Sequence, residues 1–157
     1  MFRVLFLCTG NSARSQIAEA LVNHEGAGRF EAESAGTEPA AQVNPGALEV
    51  LDAAGIEWRG HSPRSVDGLE RQRWDLVITV CDHARESCPV FPAGPVIAHW
   101  GMPDPAAAEG DAAARRAAFR DTLDLLRPRI QALVTLPVEQ LGRSALETRI
   151  REIGRLG

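Results

Sequence analysis

A cysteine closes an apolar run at position 8, and an arginine and a serine follow after five residues: Cys8-Thr9-Gly10-Asn11-Ser12-Ala13-Arg14-Ser15. These residue types can hold an oxyanion and attack it. Phe2 to Leu7 reads as a buried strand, and Ile17, Ala18, Ala20 and Leu21 give the apolar face of a helix starting near Ala13. A tight loop between strand and helix gathers backbone N–H groups at a helix N-terminus, where an anion is favoured. Gly10 and Asn11 suit the left-handed backbone that turns successive N–H groups inward as a nest. Thr9 through Arg14 would cradle the anion, and the Arg14 fork matches two oxygens of a tetrahedral centre. The same positive field is expected to lower the Cys8 pKa and present a thiolate nucleophile. Without this junction Cys8 would be an ordinary buried cysteine; its position between strand and helix selects the reactive reading.

The two other cysteines stand at 81 and 88, in Cys81-Asp82-His83-Ala84-Arg85-Glu86-Ser87-Cys88-Pro89. Cys81 follows the strongly apolar strand Leu76 to Val80, as Cys8 follows the first strand. Neighbouring parallel strands would bring both thiols to one sheet edge. If residues 81 to 88 are helical, their α-carbons lie roughly 10 Å apart at about 1.5 Å per residue. A disulfide tolerates about 4.4–6.8 Å, so joining them requires the segment to unwind. Cys81, His83, Cys88 and His99 as zinc ligands, or two inert core thiols, remain alternatives, although the spacing matches no usual zinc knuckle. A thiol relay starting at Cys8 accounts for all three cysteines together.

The elements that must position these groups alternate. After the first strand and helix, Arg29 to Ala35 reads as a strand ended by Gly36, and Asn44-Pro45 opens a helix ending at Gly55 with Ala47, Leu48, Leu51 and Ala54 inward. Asp75 to Val80 and Pro95 to Ala98 are further strands, and residues 111 to about 134 form a long helix with Phe119, Leu123 and Leu126 inward. Such alternation predicts a three-layer α/β sandwich, its parallel sheet covered by helices, with ligands beyond the strands' carboxyl ends. Pro137 breaks the long helix, and Leu141, Ala145, Ile150 and Ile153 give a looser stripe, so residues 135–157 are expected as a helical extension packed on a domain of residues 1–134.

The 157 residues suit one such domain. The net charge of −4, with no basic stripe interleaved with aromatics, speaks against nucleic acid. No apolar run is long enough for a bilayer, and the N-terminus lacks a signal peptide's features, so a cytoplasmic location without membrane attachment is the expectation. The chain contains no lysine, which excludes Schiff-base chemistry and lysine bases. An odd number of cysteines, three, argues for reactive thiols over a structural disulfide framework.

With Cys8–Ser15, Ser34-Ala35-Gly36-Thr37, Val77–Pro89 and His99-Trp100-Gly101-Met102-Pro103-Asp104-Pro105-Ala106 in view, residues 1 to about 134 resemble a thioredoxin-coupled arsenate reductase of the low-molecular-weight tyrosine phosphatase fold. The resemblance implies a four-stranded parallel sheet in the order 2-1-3-4, with the C-terminal helix as an addition. It further implies a reaction. Arsenate, with phosphate or sulfate as competitors, binds the loop; Cys8 attacks arsenic and Asp104 acts as general acid. Cys81 then takes the oxidation from Cys8, and Cys88 takes it from Cys81. Thioredoxin reduces the last disulfide, with no organic cofactor or metal required, in a monomer. Ser15 resembles the serine that stabilises the thiolate, and Asn11 and Ser34 the pair that shapes the loop. Some such reductases hold potassium with residues at the positions of Asn11, Glu19, Ser34 and an aspartate. Counting from His61 puts Arg64 at that aspartate's position, so Arg64 is expected to pair with Glu19 in the ion's place. His24 and His61 are expected on the surface or at caps, and His99 against Trp100.

Three other readings compete. A phosphatase acting on phosphotyrosine or small esters would use the same Cys8, Arg14 and Asp104; the Ala106-Ala107-Ala108 run and the absence of tyrosine count against it. A non-catalytic oxyanion or redox sensor would use the Cys81–Cys88 switch. A different donor, glutaredoxin with glutathione or mycothiol, would depend on surface contacts that a sequence does not carry.

Overall fold

The computed structural model describes residues 1–156; position 157, the last of the expected extension, lies outside them. Four parallel strands, β1 (Phe2–Cys8), β2 (Phe30–Gly36), β3 (Leu76–Thr79) and β4 (Val96–His99), form one sheet in the order β2-β1-β3-β4. Helices α1 (Arg14–Glu25), α2 (Pro45–Ala53), α3 (Asp82–Glu86), α4 (Ala112–Val134) and α5 (Arg143–Ile153) flank it. This is the expected architecture, with each strand end within about two residues of its prediction.

Val4, Leu5, Phe6 and Leu7 are all wholly buried, because β1 lies inside the sheet and is covered on both faces. The outer strand β4 alternates instead, with Val96 and Ala98 buried and Ile97 exposed. The chain leaves β1 toward β2 on one side and later returns to β3 on the other. The loop after β1 therefore sits at the point where strand order reverses, the place such sheets offer to ligands. The register pairs Leu7 with Thr79, and the Val80 N–H donates to the Leu7 carbonyl at 2.9 Å, so Cys8 and Cys81 leave the sheet at the same edge.

Side-chain caps fix where helices begin. The Asn44 carboxamide oxygen accepts from Gly46 N–H at 2.9 Å ahead of α2, and Asp111 accepts from Ala114 N–H at 2.9 Å ahead of α4. In α2, Ala47 and Leu51 are buried, while Leu48 and Ala54 are half-buried. Helix α4 continues through Pro128 because both Pro128 and Asp124, whose carbonyl loses its donor there, face solvent.

Beyond the break at Pro137, α5 packs on β4 and α4 through Leu146, Ile150 and Ile153. Ala145, expected in that stripe, is exposed; Leu146 takes its place one position on, the spacing that a regular helix needs to meet Ile150 and Ile153. Trp100 is the anchor. It is wholly buried beside Phe6, donates its indole N–H to the Ile150 carbonyl at 3.0 Å, and sits so close to Gly154 that a Cβ there would clash at 2.6 Å. Trp100→Phe keeps the ring's burial but removes one of the two donors to that carbonyl, which retains the Gly154 N–H at 3.1 Å, a loss of about 0.5–1.5 kcal/mol. The expected result is a lower thermal midpoint and faster amide exchange in residues 143–153; unchanged exchange there would contradict the anchoring role.

Candidate active site

The loop after β1 is shaped from outside. A neighbouring segment donates backbone N–H groups to its carbonyls: Thr37 to Cys8 at 3.1 Å, Glu38 to Thr9 at 2.9 Å, Ala40 to Gly10 at 2.9 Å and Asn44 to Ser12 at 2.9 Å. With the carbonyls of Cys8, Thr9, Gly10 and Ser12 held outward, the groups left for the concave side are N–H donors running into Ala13 and the first turn of α1. Only Asn11 is left-handed (φ 52°); Gly10 has an ordinary negative φ, contrary to expectation, since one inverted residue suffices to turn this loop. Gly36 is required for another reason, because a Cβ there would collide with the Thr9 carbonyl.

Inside the loop, the Asn11 carboxamide is fully used. Its Nδ2 donates to Ser15 Oγ at 2.8 Å and to Ser34 Oγ at 2.9 Å, while its Oδ1 accepts from the Arg64 N–H at 3.1 Å. Ser15 Oγ accepts from Asn11, which leaves its own proton for Cys8 Sγ at 2.9 Å. The Asn11 N–H donates to the same sulfur at 3.1 Å. Burial nevertheless pushes the Cys8 thiol above its ordinary value; the Ser15 hydroxyl and N–H, the Asn11 N–H and Arg14 pull it down without prevailing. This corrects the expectation of a lowered pKa, which counted donors and omitted the sulfur's almost complete loss of solvent. The sign for a variant follows: Ser15→Ala removes a donor to the thiolate and should move the pH midpoint of Cys8 alkylation further up. An unchanged or lower midpoint would contradict this.

Arg14, mostly buried, donates to the Met102 carbonyl at 3.1 Å and reaches Asp104 at 3.9 Å. Asp104 is half-exposed and fixed as a cap, its Oδ1 accepting from Ala106 N–H at 3.0 Å. The loop, the arginine and the carboxylate thus converge as predicted. So does Cys81. It is buried, and its sulfur lies 3.2 Å from Thr9 Oγ1 and accepts from Ala84 N–H at 3.4 Å, capping α3. Cys88, two residues past α3, is half-buried with its thiol toward the Pro89 carbonyl at 3.6 Å; burial raises its pKa. All three cysteines are free. Among the described residues no group of three His, Cys, Asp or Glu gathers as a metal site. His83 lies 3.7 Å from Glu38, and His99 is held by Thr79 at 2.8 Å and Asp82 at 3.0 Å. His99 was expected against Trp100; its polar ring has found polar partners on β3 and α3 instead.

The Arg64 expectation is also corrected. Its guanidinium donates to Glu33 at 2.9 Å and to the Ser34 carbonyl at 3.1 Å, and does not pair with Glu19. Glu19 Oε1 accepts from Ser34 Oγ at 3.0 Å and faces His61 Nε2 at 3.2 Å. His61 Nδ1 lies 2.7 Å from the Ser62 carbonyl, the contact of a ring N–H donor. Burial raises the Glu19 pKa, opposed first by His61, then by Ser34 and more weakly by Arg64. The oxygens at the positions associated with potassium are therefore occupied: Asn11 Oδ1 by the Arg64 N–H, Glu19 by His61. Exchanging sodium for potassium should leave the thermal midpoint and the Cys8 alkylation rate unchanged; an upward shift specific to potassium would show an ion held there.

Sequence reasoning passed over three supporting residues. His61 was expected on the surface or at a cap, whereas its Nε2 meets the buried Glu19 at 3.2 Å. Gln16 Nε2 donates to the carbonyls of Asn11 and His61 at 3.1 Å each, and its Oε1 accepts from Trp58 Nε1 at 3.1 Å. Only its place on the buried side of α1 could have drawn notice. The Thr9 hydroxyl on Cys81 had no signal, because it depends on how closely β1 and β3 end together.

The family model described as low molecular weight phosphotyrosine protein phosphatase matches residues 3–146. An arsenate reductase from Halalkalibacterium halodurans is 39% identical over 128 residues, 82% of this chain and 91% of that one. Among solved structures, an arsenate reductase from Archaeoglobus fulgidus superposes with a TM-score of 0.68 at 33% identity, covering 85% of this chain and 99% of its own. A thioredoxin-dependent arsenate reductase from Corynebacterium glutamicum gives 0.62 at 28% identity, covering 85% of this chain and 60% of its own.

Proposed function

This chain belongs to the low molecular weight phosphotyrosine protein phosphatase family, and on that premise we propose that it is an enzyme reducing arsenate to arsenite through a Cys8–Cys81–Cys88 relay. The observation that carries the proposal is a second buried thiol at the oxyanion loop, with Cys81 Sγ 3.2 Å from Thr9 Oγ1. A phosphatase has no use for it.

Arsenate is held by the N–H groups of the loop and by Arg14. The raised pKa brings Cys8 to the encounter as a thiol, and its proton moves to an arsenate oxygen as the sulfur closes on arsenic. Asp104 protonates the departing oxygen, which leaves as water, and a Cys8–arsenic bond forms. The Cys81 thiolate then attacks Cys8 Sγ; the sulfur–arsenic electron pair goes to arsenic, releasing arsenite and leaving a Cys8–Cys81 disulfide. Cys88 attacks Cys81 in turn, expelling the Cys8 thiolate and moving the disulfide to Cys81–Cys88 as α3 gives way. Thioredoxin reduces that bond by thiol–disulfide exchange. Ser15, Asn11 and Ser34 position the loop and its sulfur, with Glu19 and the Arg64 main chain behind them. The enzyme acts as a cytoplasmic monomer; no helix of the described residues is long and apolar enough to cross a membrane.

Cys88→Ser should release about one arsenite per chain with thioredoxin and then stop, trapped as a Cys8–Cys81 disulfide; sustained turnover would rule out the three-thiol relay. A second reading, hydrolysis of phosphotyrosine or small phosphate esters by Cys8, Arg14 and Asp104, is favoured by the family match itself. Under the main reading it persists as a weak side activity. Ester hydrolysis outpacing arsenite release would make it the principal one.

A further inference from the structure

His99 takes no part in the relay described above, yet both of its ring nitrogens are engaged. It closes β4, and the register sets it opposite Thr79, the last residue of β3, with both side chains on one face of the sheet. Thr79 is buried, and only 20% of the His99 side chain is exposed. Thr79 Oγ1 lies 2.8 Å from Nδ1, and the Ala98 carbonyl, at 3.5 Å, is too far to compete for that hydroxyl. In the neutral ring the hydroxyl therefore donates to Nδ1, and Nε2–H donates to Asp82 Oδ1 at 3.0 Å. Asp82 opens α3, so the imidazole bridges the two residues on either side of the Val80–Cys81 turn.

That turn is lightly held elsewhere. The Val80 N–H still reaches the Leu7 carbonyl, but the Cys81 carbonyl accepts from Arg85, within α3's own first turn. The contacts on the sulfur, from Thr9 Oγ1 at 3.2 Å and Ala84 N–H at 3.4 Å, are weak because a thiol is a poor hydrogen-bonding group. Among the described residues, Asp82–His99 is the one side-chain hydrogen bond that ties α3 to the sheet; His83 faces Glu38 at 3.7 Å outside it.

We propose that His99 is a positioning residue for the second thiol: by bracing Thr79 against Asp82 it keeps Cys81 Sγ aimed at Cys8. The proposal rests on the relay described above. The step it serves forms the Cys81–Cys8 sulfur bond and breaks the sulfur–arsenic bond, whose electron pair stays on arsenic; two sulfurs are oxidised and arsenic is reduced. Such an attack needs close alignment, and a misplacement of about 1 Å costs roughly 10²-fold in rate. A turn free to swing would keep every thiol and the anion loop while losing that alignment. The brace contributes little to the fold, because its Asp82 end is 88% exposed. That exposed end lets go easily when α3 gives way, whereas the buried Thr79–His99 contact stays on the sheet.

The test uses the full chain carrying Cys88→Ser, which stops at the Cys8–Cys81 disulfide. After mixing with excess arsenate, acid quenching and peptide mass spectrometry follow the formation of that bond in a single turnover. His99→Ala and Asp82→Ala should each slow it by about tenfold or more. Asp82→Asn, whose carboxamide oxygen still accepts from Nε2, should restore it. The His99→Ala/Asp82→Ala pair should be no slower than His99→Ala alone, because both remove one brace. In the resting His99→Ala protein, alkylation of Cys81 should quicken as the turn opens while that of Cys8 stays unchanged; a general loosening would quicken both. Failure of the disulfide to form with His99 intact would overturn the relay itself. Its formation at an undiminished rate in His99→Ala, additive losses in the double variant, or equal quickening of both alkylations would overturn the brace.

Discussion

The carboxamide of Asn11 is the group on which the site depends. Its two N–H bonds reach Ser15 and Ser34, its oxygen takes the N–H of Arg64, and its own backbone supplies the left-handed turn. One side chain thereby ties the nucleophile's loop to α1, β2 and the segment before β3. Because these atoms are buried, losing any partner leaves an unsatisfied group at a cost of about 1–3 kcal/mol. Such a network is stable in one arrangement and poor in any other, which suits a loop that must keep its N–H groups aimed at one point.

The same dryness works in two directions. It raises the cost of ionising Cys8, yet it strengthens every donor aimed at a negative charge in the loop. The sulfur is therefore matched to arrival of an anionic partner that can take its proton, and is quieter without one. Cys81 shares the buried edge, whereas Cys88 is half-buried, so exposure rises along the three thiols from Cys8 to Cys88.

Much of this was legible in the sequence because it is local. Strand-loop-helix order, the Asn44 cap, and the pairing of thiols at adjacent strand ends all follow from short-range patterns and the parallel-sheet rule. What escaped was set by distance across the fold. Arg64 lies within reach of both Glu33 and Glu19, and the choice between them depends on where β2 places its side chains. Ala145 and Leu146 differ by one position, so helix phase alone decides which is buried. The direction of the Cys8 pKa was missed because donors can be read from a motif, whereas solvent exclusion comes from α1, β2 and the 102–104 loop closing together.

Helix α3 is one turn and a half long, and the sulfur of Cys81 is its N-terminal cap, receiving the Ala84 N–H. A sulfur engaged in a disulfide must take the position that its partner sulfur dictates, and so turns away from the N–H it capped. Oxidation of Cys81 thus withdraws support from the very helix that keeps Cys88 at a distance, and a helix this short has little else to retain it. In the proposed relay the chemistry of one step weakens the obstacle to the next, so the order of events is written into a single atom that serves both as reagent and as structural stop.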